Sequence, residues 1–509
     1  MLQLKHKLLQ SARGITIGMV FMQLLKGCFS IALVMLTASL FGTGIDRDAW
    51  VIGWSVQVIV FKFLFGPINE IFRSRFLHLK EEKGEAEALQ SAYSLLTFLF
   101  CISLLLITLF FVFRSALVLF FAPGYQNPEQ IHVIEQMILF LIPTLILSEF
   151  ITLFTALLNS YQSFYLPEIF GSFSVLFNII LLLIVGQVWG IQTLVFANYL
   201  SSIVLLLLLI RFLIKKGILI RKLKFSFRLV LPYLVFSLPL YFSFSAGQFN
   251  AWVERVLVSY LPVGHTSALD YARKFIDMPV TIIITVGSTV MTPMLTAIWI
   301  KEKDSLHFKH NFFLFLRLGL LIISPIVLLF TAGSKDIVEL LLHHGSFSAQ
   351  WVRPTADTLS WFGLGLYGVV FYSISGQALL VQKRSVLYAF IGIFCQLIPV
   401  VINYFYYHQY GLMVFGMSWC IAQYVCGLCM FLCVRSFHQP AMLSLFLLLL
   451  ILIANLIGAY YFLSYLQGLS SLIRLSLTGI SSLVIVLAFM KLFGFDEFHA
   501  LKKLFSKPS

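Results

Sequence analysis

The chain has 509 residues, of which 60% are hydrophobic and only 11% are charged. A soluble protein of this size has no interior large enough for so much apolar surface, so its solvent must be lipid. The formal net charge is +14, but the basic residues lie in short segments between apolar runs, which excludes nucleic acid as the expected partner.

Apolar runs of about 20 residues follow one another along the chain, and each is long enough to cross a bilayer as a helix. Fourteen such runs cover residues 14–41, 50–72, 91–113, 132–158, 166–186, 191–210, 229–248, 268–298, 312–332, 355–380, 386–406, 411–434, 441–465 and 471–490. The sequence therefore predicts an all-α polytopic membrane protein with about 14 transmembrane helices and both termini on one side.

The lysine and arginine residues are divided unequally between the two sides of this topology. The even-numbered loops and the two tails hold 24 of the 35, and the odd-numbered loops hold 6. Because positively charged loops are retained in the cytoplasm, both termini are predicted to be cytoplasmic. The most basic loop, residues 211–228, lies where a chain of two halves needs a linker, and anchoring on anionic lipid is the simpler explanation of its charge.

Short sequence landmarks recur at an offset of about 220 residues and indicate two duplicated halves. Phe120–Gln126 precedes an Ala-Leu-Leu triplet much as Leu342–Ser348 does, and Phe41–Gly44 precedes a polar segment as Leu261–Gly264 precedes a charged helix. The predicted domains are an N-lobe at 1–210 (helices 1–6), a basic cytoplasmic linker at 211–228, a C-lobe at 229–435 (helices 7–12), and helices 13 and 14 with a cytoplasmic tail at 436–509. The two six-helix lobes are predicted to be pseudo-symmetric.

One predicted span carries a stripe of charge. Asp270, Arg273, Lys274 and Asp277 are spaced i, i+3, i+4 and i+7, which places them on one helix face. Each ionisable group near the bilayer centre costs roughly 2.5–3.5 kcal/mol on insertion scales. Two explanations stay open: mutual salt bridges with snorkelling to the interface, or binding of a charged cargo.

Further ionisable residues lie in or beside apolar runs, namely Lys26, Lys62, Glu70, Glu149, Glu254 and Arg255. The cations Lys26, Lys62, Arg273 and Lys274 outnumber the acids available to neutralise them, which favours a water-filled cavity that binds an anion. A phosphate or pyrophosphate group fits that charge. Glu149 fits either a structural partner or a proton or cation site.

The sequence contains no recognisable catalytic arrangement. The nucleotide-binding pattern GxxxxGK[ST] does not occur, and His343-His344 has no third metal ligand nearby in the sequence. Cys426 and Cys429 have a metal or redox spacing, but they lie in an apolar run where helix packing is the simpler explanation. We therefore expect a transporter without a cofactor, with a coupling ion or the membrane potential as possible sources of energy.

Several motifs together resemble the MurJ (MviN) lipid II flippases, a family within the wider group of multidrug, oligosaccharidyl-lipid and polysaccharide exporters. They are FGTG at 41–44 with Asp48, APGY at 122–125, ALLN at 156–159 with Pro167, LPVGHTSALDYARK at 261–274 with Pro279, and IVELLLHHGSF at 337–347. The resemblance covers about residues 15–435 in the same order. It implies two six-helix lobes, a central cationic cavity that opens alternately to each side, and two final helices that form a groove for the lipid tail.

The resemblance also implies roles for individual residues. Lys274 stands where the family pattern has its cavity arginine, Asp48 matches the aspartate after the FGxG turn, and Glu254-Arg255 resembles an Asp-Arg pair before LPxG. The family's first helix carries an Arg-Asp pair, whereas Ile31–Met35 here has no charge. The expected substrate-binding residues are Lys274, Arg273, Lys26, Lys62, Arg255 and Asp48, and the expected coupling or structural partners are Asp270, Asp277, Glu254, Glu149 and Glu70.

These observations predict a flippase of the bacterial inner membrane that moves a polyprenyl-pyrophosphate-linked glycan precursor, lipid II above all, by alternating access. Three alternatives remain: a flippase for another lipid-linked unit of the O-antigen or exopolysaccharide type, a cation-coupled multidrug-type exporter, or a non-transporting scaffold for cell-wall or capsule assembly. The expected partners are the lipid-linked precursor and membrane lipids, with cell-wall synthesis proteins as a further class.

Overall fold

The structure is a computed structural model that describes residues 2–163, 165–218, 225–302, 306–434 and 439–492. Residues 219–224 of the predicted linker, the predicted lobe boundary at 435 and the predicted tail after Leu492 lie outside the described residues. In the first half of the chain the helices are α1 (Leu2–Phe41), α2 (Ile45–Leu64), α3 (Gly66–Lys83), α4 (Glu85–Val112), α5 (Arg114–Phe121), α6 (Pro128–Leu141), α7 (Thr144–Ser160), α8 (Tyr165–Trp189) and α9 (Gln192–Lys215).

The remaining helices are α10 (Phe227–Ser259), α11 (His265–Val286), α12 (Thr292–Glu302), α13 (Leu306–Thr331), α14 (Ser334–Leu341), α15 (Val352–Val381), α16 (Ser385–Tyr410), α17 (Met413–Cys433), α18 (Gln439–Tyr465) and α19 (Ser471–Leu492). A π-helical turn at Gly287–Met291 joins α11 to α12, and a 3-10 turn at Ala349–Trp351 precedes α15. The described chain thus has the all-helical architecture expected from the sequence.

Within the described residues, twelve helical segments are long and apolar enough to cross a membrane. A thirteenth is α2 with α3, a pair bent by 46° where Gly66-Pro67 follows Phe65, because proline cannot donate a backbone hydrogen bond and crowds the preceding turn. The fourteenth predicted span, residues 268–298, is helical through α11 and α12 but carries four charges within eight residues. The expected polytopic fold is confirmed, and the charged segment accounts for the difference in count.

The order of elements repeats along the chain, as the landmarks predicted. A long helix, a pair interrupted near its middle, a long helix, a short helix of eight residues and three further spans occur first in α1–α9 and again in α10–α17. Three pairs of corresponding helices begin 220 residues apart: Ile45 and His265, Arg114 and Ser334, and Tyr165 and Ser385. The helices α18 and α19 have no counterpart in the first half, which agrees with two extra C-terminal helices.

Packing divides the described chain into two compact units. One comprises Ile17–Asp270 with Gly345–Phe347, and the other comprises Tyr271–His344 with the described residues from Ser348 onward and before Ile17. The division at Asp270 lies within α11, whereas the predicted linker lies between the end of α9 and the start of α10. The domain limits drawn from the sequence therefore stay a prediction.

Among its described residues, the unit that contains Ile17–Asp270 has two apolar cores. In the first, Phe72 and Phe76 of α3 pack with Tyr233 of α10 and with side chains of α4, α7 and α9. In the second, Ile52 of α2 and Ile138 of α6 are almost wholly buried, and α5 completes the cluster. The two cores fix α2, α3, α6 and α10, which carry several of the polar residues described below.

In the other unit, α15 is the most deeply buried helix, and α17 packs against it through glycine. A Cβ atom at Gly365 would lie 2.6 Å from the Trp419 ring, and one at Gly427 would lie 2.6 Å from Cβ of Phe371. Helices in a membrane gain little from burying apolar surface against one another, so close approach through small residues supplies the packing energy.

Gly124 provides a test of the packing at the end of α10. Its N–H donates to Ser259 Oγ at 3.0 Å, and a Cβ there would overlap the Ser259 carbonyl group. We expect Gly124→Ala to lower the free energy of unfolding by about 1–3 kcal/mol because the backbone must move, as measured by thermal unfolding in detergent. Gly247→Ala is the control, since it lies inside α10 with nothing within 4 Å; equal stability of the two variants would contradict the expectation.

Candidate functional site

The carboxylate of Asp48 is the most heavily hydrogen-bonded acid in the described chain. The residue is fully buried in the first turn of α2. Its Oδ2 accepts from the Tyr125 hydroxyl at 2.9 Å and from the Gly264 N–H at 2.6 Å. Its Oδ1 accepts from the N–H of Ser267 at 2.8 Å and also from the Ser267 hydroxyl. Asp48 thereby satisfies backbone donors at the start of α11, which a helix cannot satisfy internally.

This geometry bears on the predicted role of Asp48. The FGTG turn places Asp48 at the start of α2, and the LPVG turn places Gly264 just before α11, so the two corresponding landmarks of the halves meet at one carboxylate. Four donors already occupy its two oxygens. The contacts therefore support a role in positioning α11, and direct contact of Asp48 with substrate stays a prediction.

Arg47 and Asp270 form a buried ion pair beside this carboxylate. Arg47 Nη2 donates to Asp270 Oδ2 at 2.9 Å, and both side chains are almost inaccessible. The Arg47 guanidinium also lies 4.6 Å from the centroid of the Trp50 ring, a distance typical of cation–π contact. Arg47 lies between the predicted spans 14–41 and 50–72 and is not among the predicted site residues. The two residues are 223 positions apart, so no local spacing indicates that they pair. The one signal in the sequence is Asp270 itself, a charge in an apolar segment that needs a partner.

The remaining charges of the α11 face are paired more loosely. Lys274 Nζ lies 3.7 Å from Asp277 Oδ2, and the two side chains are 37% and 56% exposed. The guanidinium of Arg273 lies 5.2 Å from the centroid of the Phe362 ring. The predicted face therefore contains both a sealed pair, at Asp270, and an accessible cation, at Lys274.

The other predicted cations, Lys26, Lys62 and Arg255, lie on three different helices. Lys26 on α1 is half-buried, and a Cβ built on Gly171 of α8 would lie 3.6 Å from its ammonium group. Lys62 is exposed near the end of α2, as is Glu70 on α3. Glu254 and Arg255 are both buried on α10.

These side chains are divided between the two compact units. Arg273, Lys274 and Asp277 belong to the unit that contains Tyr271–His344. The other predicted site residues belong to the unit that contains Ile17–Asp270. The structure brings together Arg47 with Asp270, Asp48 with the start of α11, and Lys274 with Asp277. The membership of all these residues in one substrate-binding set stays a prediction.

Glu149 is the most deeply buried of the predicted coupling or structural partners. It is 2% exposed on α7, and its Oε2 accepts from the Asn69 side-chain amide of α3 at 3.1 Å. Its Oε1 is buried and has no hydrogen-bond partner within the described part of the chain. A buried polar atom without a hydrogen-bond partner is costly, so the contact with Asn69 compensates only part of the cost of burying Glu149.

Two other sequence motifs can be placed. His343 and His344 are exposed after α14, and a ring nitrogen of His344 lies 2.9 Å from the Leu340 carbonyl oxygen. Among residues whose placement is described, no group of three His, Cys, Asp or Glu side chains is arranged to hold a metal ion. Cys426 is buried in α17 and Cys429 is half-buried, both as free thiols.

The Arg47–Asp270 pair gives a stability prediction. We expect Asp270→Ala to cost about 3–5 kcal/mol of unfolding free energy, because it leaves the Arg47 guanidinium buried without its counter-charge. The double variant Arg47→Met/Asp270→Leu should lose less than this, since neither charge is then stranded. Thermal and denaturant unfolding in detergent measure both.

The control for this pair is Asp357→Ala, which removes an exposed i, i+4 pair with Arg353 at 3.8 Å. Exposed pairs contribute about 0–1 kcal/mol. If Asp270→Ala lowers the free energy of unfolding by no more than Asp357→Ala does, the buried pair does not stabilise the fold more than an exposed pair.

Comparison with known proteins agrees with this architecture. Over 386 residues the chain is 25% identical to the probable lipid II flippase MurJ of Buchnera aphidicola subsp. Acyrthosiphon pisum (strain APS), covering 70% of this chain and 73% of the relative. Over 406 residues it is 26% identical to the probable lipid II flippase MurJ of Borreliella burgdorferi, covering 76% of each.

Solved structures show the same fold. A lipid II flippase MurJ in an inward closed conformation matches with a TM-score of 0.78 at 20% identity, over 93% of this chain and 99% of the other. An inward-facing multidrug resistance transporter of the MATE family matches with a TM-score of 0.68 at 14% identity, over 82% of this chain and 97% of the other. The sequence profile of the lipid II flippase MurJ family matches residues 37–479, and the chain is therefore a multi-pass membrane protein that belongs to the MurJ family.

Proposed function

We propose that this protein moves lipid II across the bacterial inner membrane by alternating access. The observation that carries the proposal is the match to the MurJ family over residues 37–479, which spans both halves and the whole charged face of α11. The head group of such a lipid carries a pyrophosphate and sugars, and its polyprenyl tail stays in the hydrocarbon. The protein must therefore offer cations to the head group while the tail remains in lipid.

The pairing of the α11 charges supports Lys274 as the cation that meets the pyrophosphate. Its partner Asp277 is more than half exposed and lies 3.7 Å away, and an exposed pair of this kind contributes only about 0–1 kcal/mol. A pyrophosphate can displace such a partner. Arg47, by contrast, is sealed against Asp270 at 2.9 Å, so it supports α11 rather than the cargo.

Two further cations are suited to an anionic ligand. The ammonium groups of Lys26 and Lys62 form no ion pair with a carboxylate in the described ranges, and both residues are at least partly accessible. An unneutralised lysine on a membrane helix is costly, and a phosphate ligand offsets that cost. Directional movement then requires different affinities for the head group in the inward-open and outward-open states.

The orientation of the chain is part of the proposal. The excess of Lys and Arg in even-numbered loops and tails supports cytoplasmic termini, which places the start of α2 and α11 on the outer side. Lipid II is then captured from the cytoplasmic leaflet and released outside. Contacts with cell-wall synthesis proteins stay a prediction.

Lys274 is the first test of this proposal. We expect Lys274→Ala to abolish growth of a flippase-depleted strain and to weaken binding of lipid II by about 10–100-fold, the loss expected for one charge-assisted contact. Lys274→Arg should retain activity because it keeps the cation. Complementation with matched expression, and binding to purified protein, are the measurements.

The matched control for Lys274 is Lys335→Ala. Lys335 also forms a loose pair on its own helix, with Glu339 at 3.8 Å, but it belongs to α14 and not to the charged face of α11. Growth of the Lys274→Ala strain at the rate of the Lys335→Ala strain would exclude the proposed role of Lys274.

A cation-coupled exporter is the second candidate, because Glu149 is a buried carboxyl with one oxygen unsatisfied within the described residues. In lipid II transport this group is a structural partner of Asn69, so Glu149→Gln should retain at least about half of the wild-type complementation. The amide keeps the shape and can still accept from Asn69. Drug-resistance assays run in parallel separate the candidates: loss of resistance together with retained cell-wall synthesis favours the exporter.

A further inference from the structure

A cavity of about 430 Å³ lies between α3, α4 and α10, well away in sequence from the α11 face. Its lining contains cations and apolar groups side by side: Arg75, Leu79, Lys83, Glu87, Arg228, Leu229, Pro232 and Tyr233. Three other cavities among the described residues have linings that are mainly apolar and contain no Lys, Arg, Asp or Glu side chain, as expected on lipid-facing surfaces. This cavity therefore has the chemistry of a ligand site at the edge of the membrane.

The charges in this cavity are incompletely balanced. Glu87 is already paired with Lys83, whose ammonium group lies 3.0 Å from its carboxylate. That leaves the guanidinium groups of Arg75 and Arg228, neither of which is paired with a carboxylate in the part of the chain that the structure describes. Two guanidinium groups facing one cavity match the oxygens of a phosphate, which they bind through parallel N–H donors.

The cavity walls are held in place without a ligand. The Arg75 guanidinium lies 5.0 Å from the centroid of the Phe236 ring, which holds it against α10. Tyr233 is buried beneath, stacked on Phe72, and its hydroxyl lies 3.0 Å from Ser91 Oγ of α4. The site is therefore preorganised, which lowers the entropic cost of binding.

The position of the cavity identifies the kind of phosphate compound. Glu87 and Arg228 lie in the first turns of α4 and α10, so the cavity opens where two membrane spans begin. An exposed apolar stripe continues from it along one face of α10, at Phe227, Leu231, Val235, Leu238 and Phe242. A ligand with a phosphate head and acyl chains fits both features at once, whereas a free phosphate uses only the first.

We propose that α3, α4 and α10 form a binding site for the phosphate head group of an acidic glycerophospholipid, whose acyl chains lie along the exposed face of α10. Arg75 and Arg228 bind the phosphate, the Lys83–Glu87 pair lies beside them, and Leu79, Leu229 and Pro232 contact the glycerol and upper chains. The site is separate from the proposed cargo cations, and it does not depend on which lipid-linked glycan is transported.

The test compares lipid binding to purified, delipidated full-length protein in detergent, measured by native mass spectrometry and by thermal stabilisation. We expect phosphatidylglycerol to bind and to raise the melting temperature more than phosphatidylcholine at the same concentration. Arg75→Gln/Arg228→Gln should weaken phosphatidylglycerol binding at least about tenfold. Potassium phosphate at matched ionic strength should not reproduce the stabilisation.

The matched control is Arg211→Gln/Lys215→Gln, which removes the same charge from exposed positions near the end of α9. It should keep phosphatidylglycerol affinity within about threefold of wild type. If the double cavity variant is poorly folded, Arg228→Gln alone serves, because this residue is exposed and its single loss should still weaken binding severalfold.

Three results would overturn the proposal: equal phosphatidylglycerol affinity of the cavity and control variants, equal stabilisation by phosphate alone, or a loss of polyprenyl pyrophosphate binding in Arg75→Gln/Arg228→Gln that exceeds the loss of phosphatidylglycerol binding. The last result would assign the cavity to the cargo. Lys274→Ala is expected to leave phosphatidylglycerol binding unchanged, so failure of this site and failure of the flippase assignment give different results.

Discussion

Two consecutive residues at the start of α2 determine where α11 begins. Asp48 accepts the hydrogen bonds of Gly264 and Ser267, and Arg47 neutralises Asp270 one turn further along. A helix that enters a membrane with unsatisfied N–H groups and an unpaired carboxylate would be strongly disfavoured. The pair Arg47-Asp48 removes both costs at once. Lys274 lies four residues beyond Asp270 on the same helix.

The all-helical polytopic fold could be predicted from the sequence because the length of an apolar run is nearly enough to identify a helix that crosses a membrane. A helix satisfies its own backbone hydrogen bonds, so each run of about 20 apolar residues has only one structure open to it in a bilayer. The repeat could also be predicted, since the short turns Phe41–Gly44 and Leu261–Gly264 correspond to each other at an offset of 220 residues. The charged segment at α11 is helical as predicted, but its four charges keep it out of the thirteen described segments that are apolar enough to cross a membrane.

The site could be predicted only in part, because pairing between distant residues has no local sequence signal. The spacing of Asp270, Arg273, Lys274 and Asp277 predicted their common face, and Lys274–Asp277 is a local i, i+3 pair. The partner of Asp270 lies 223 residues away and was missed. Burial was equally invisible: Glu149 is sealed against Asn69, whereas Lys62 is exposed, yet both appeared as single charges in apolar runs.

The two halves interrupt their second span at corresponding places by different means. In the first half the chain bends by 46° where α2 meets α3, and in the second half the π-helical turn at Gly287–Met291 separates α11 from α12. A π turn accommodates one residue more than an α-helical turn and rotates the following side chains by about 100°. The 220-residue offset therefore matches side-chain directions before this turn, in α11, but not after it, in α12. A substitution that is transferred from α3 to α12 by adding 220 to its number would alter the wrong face of α12.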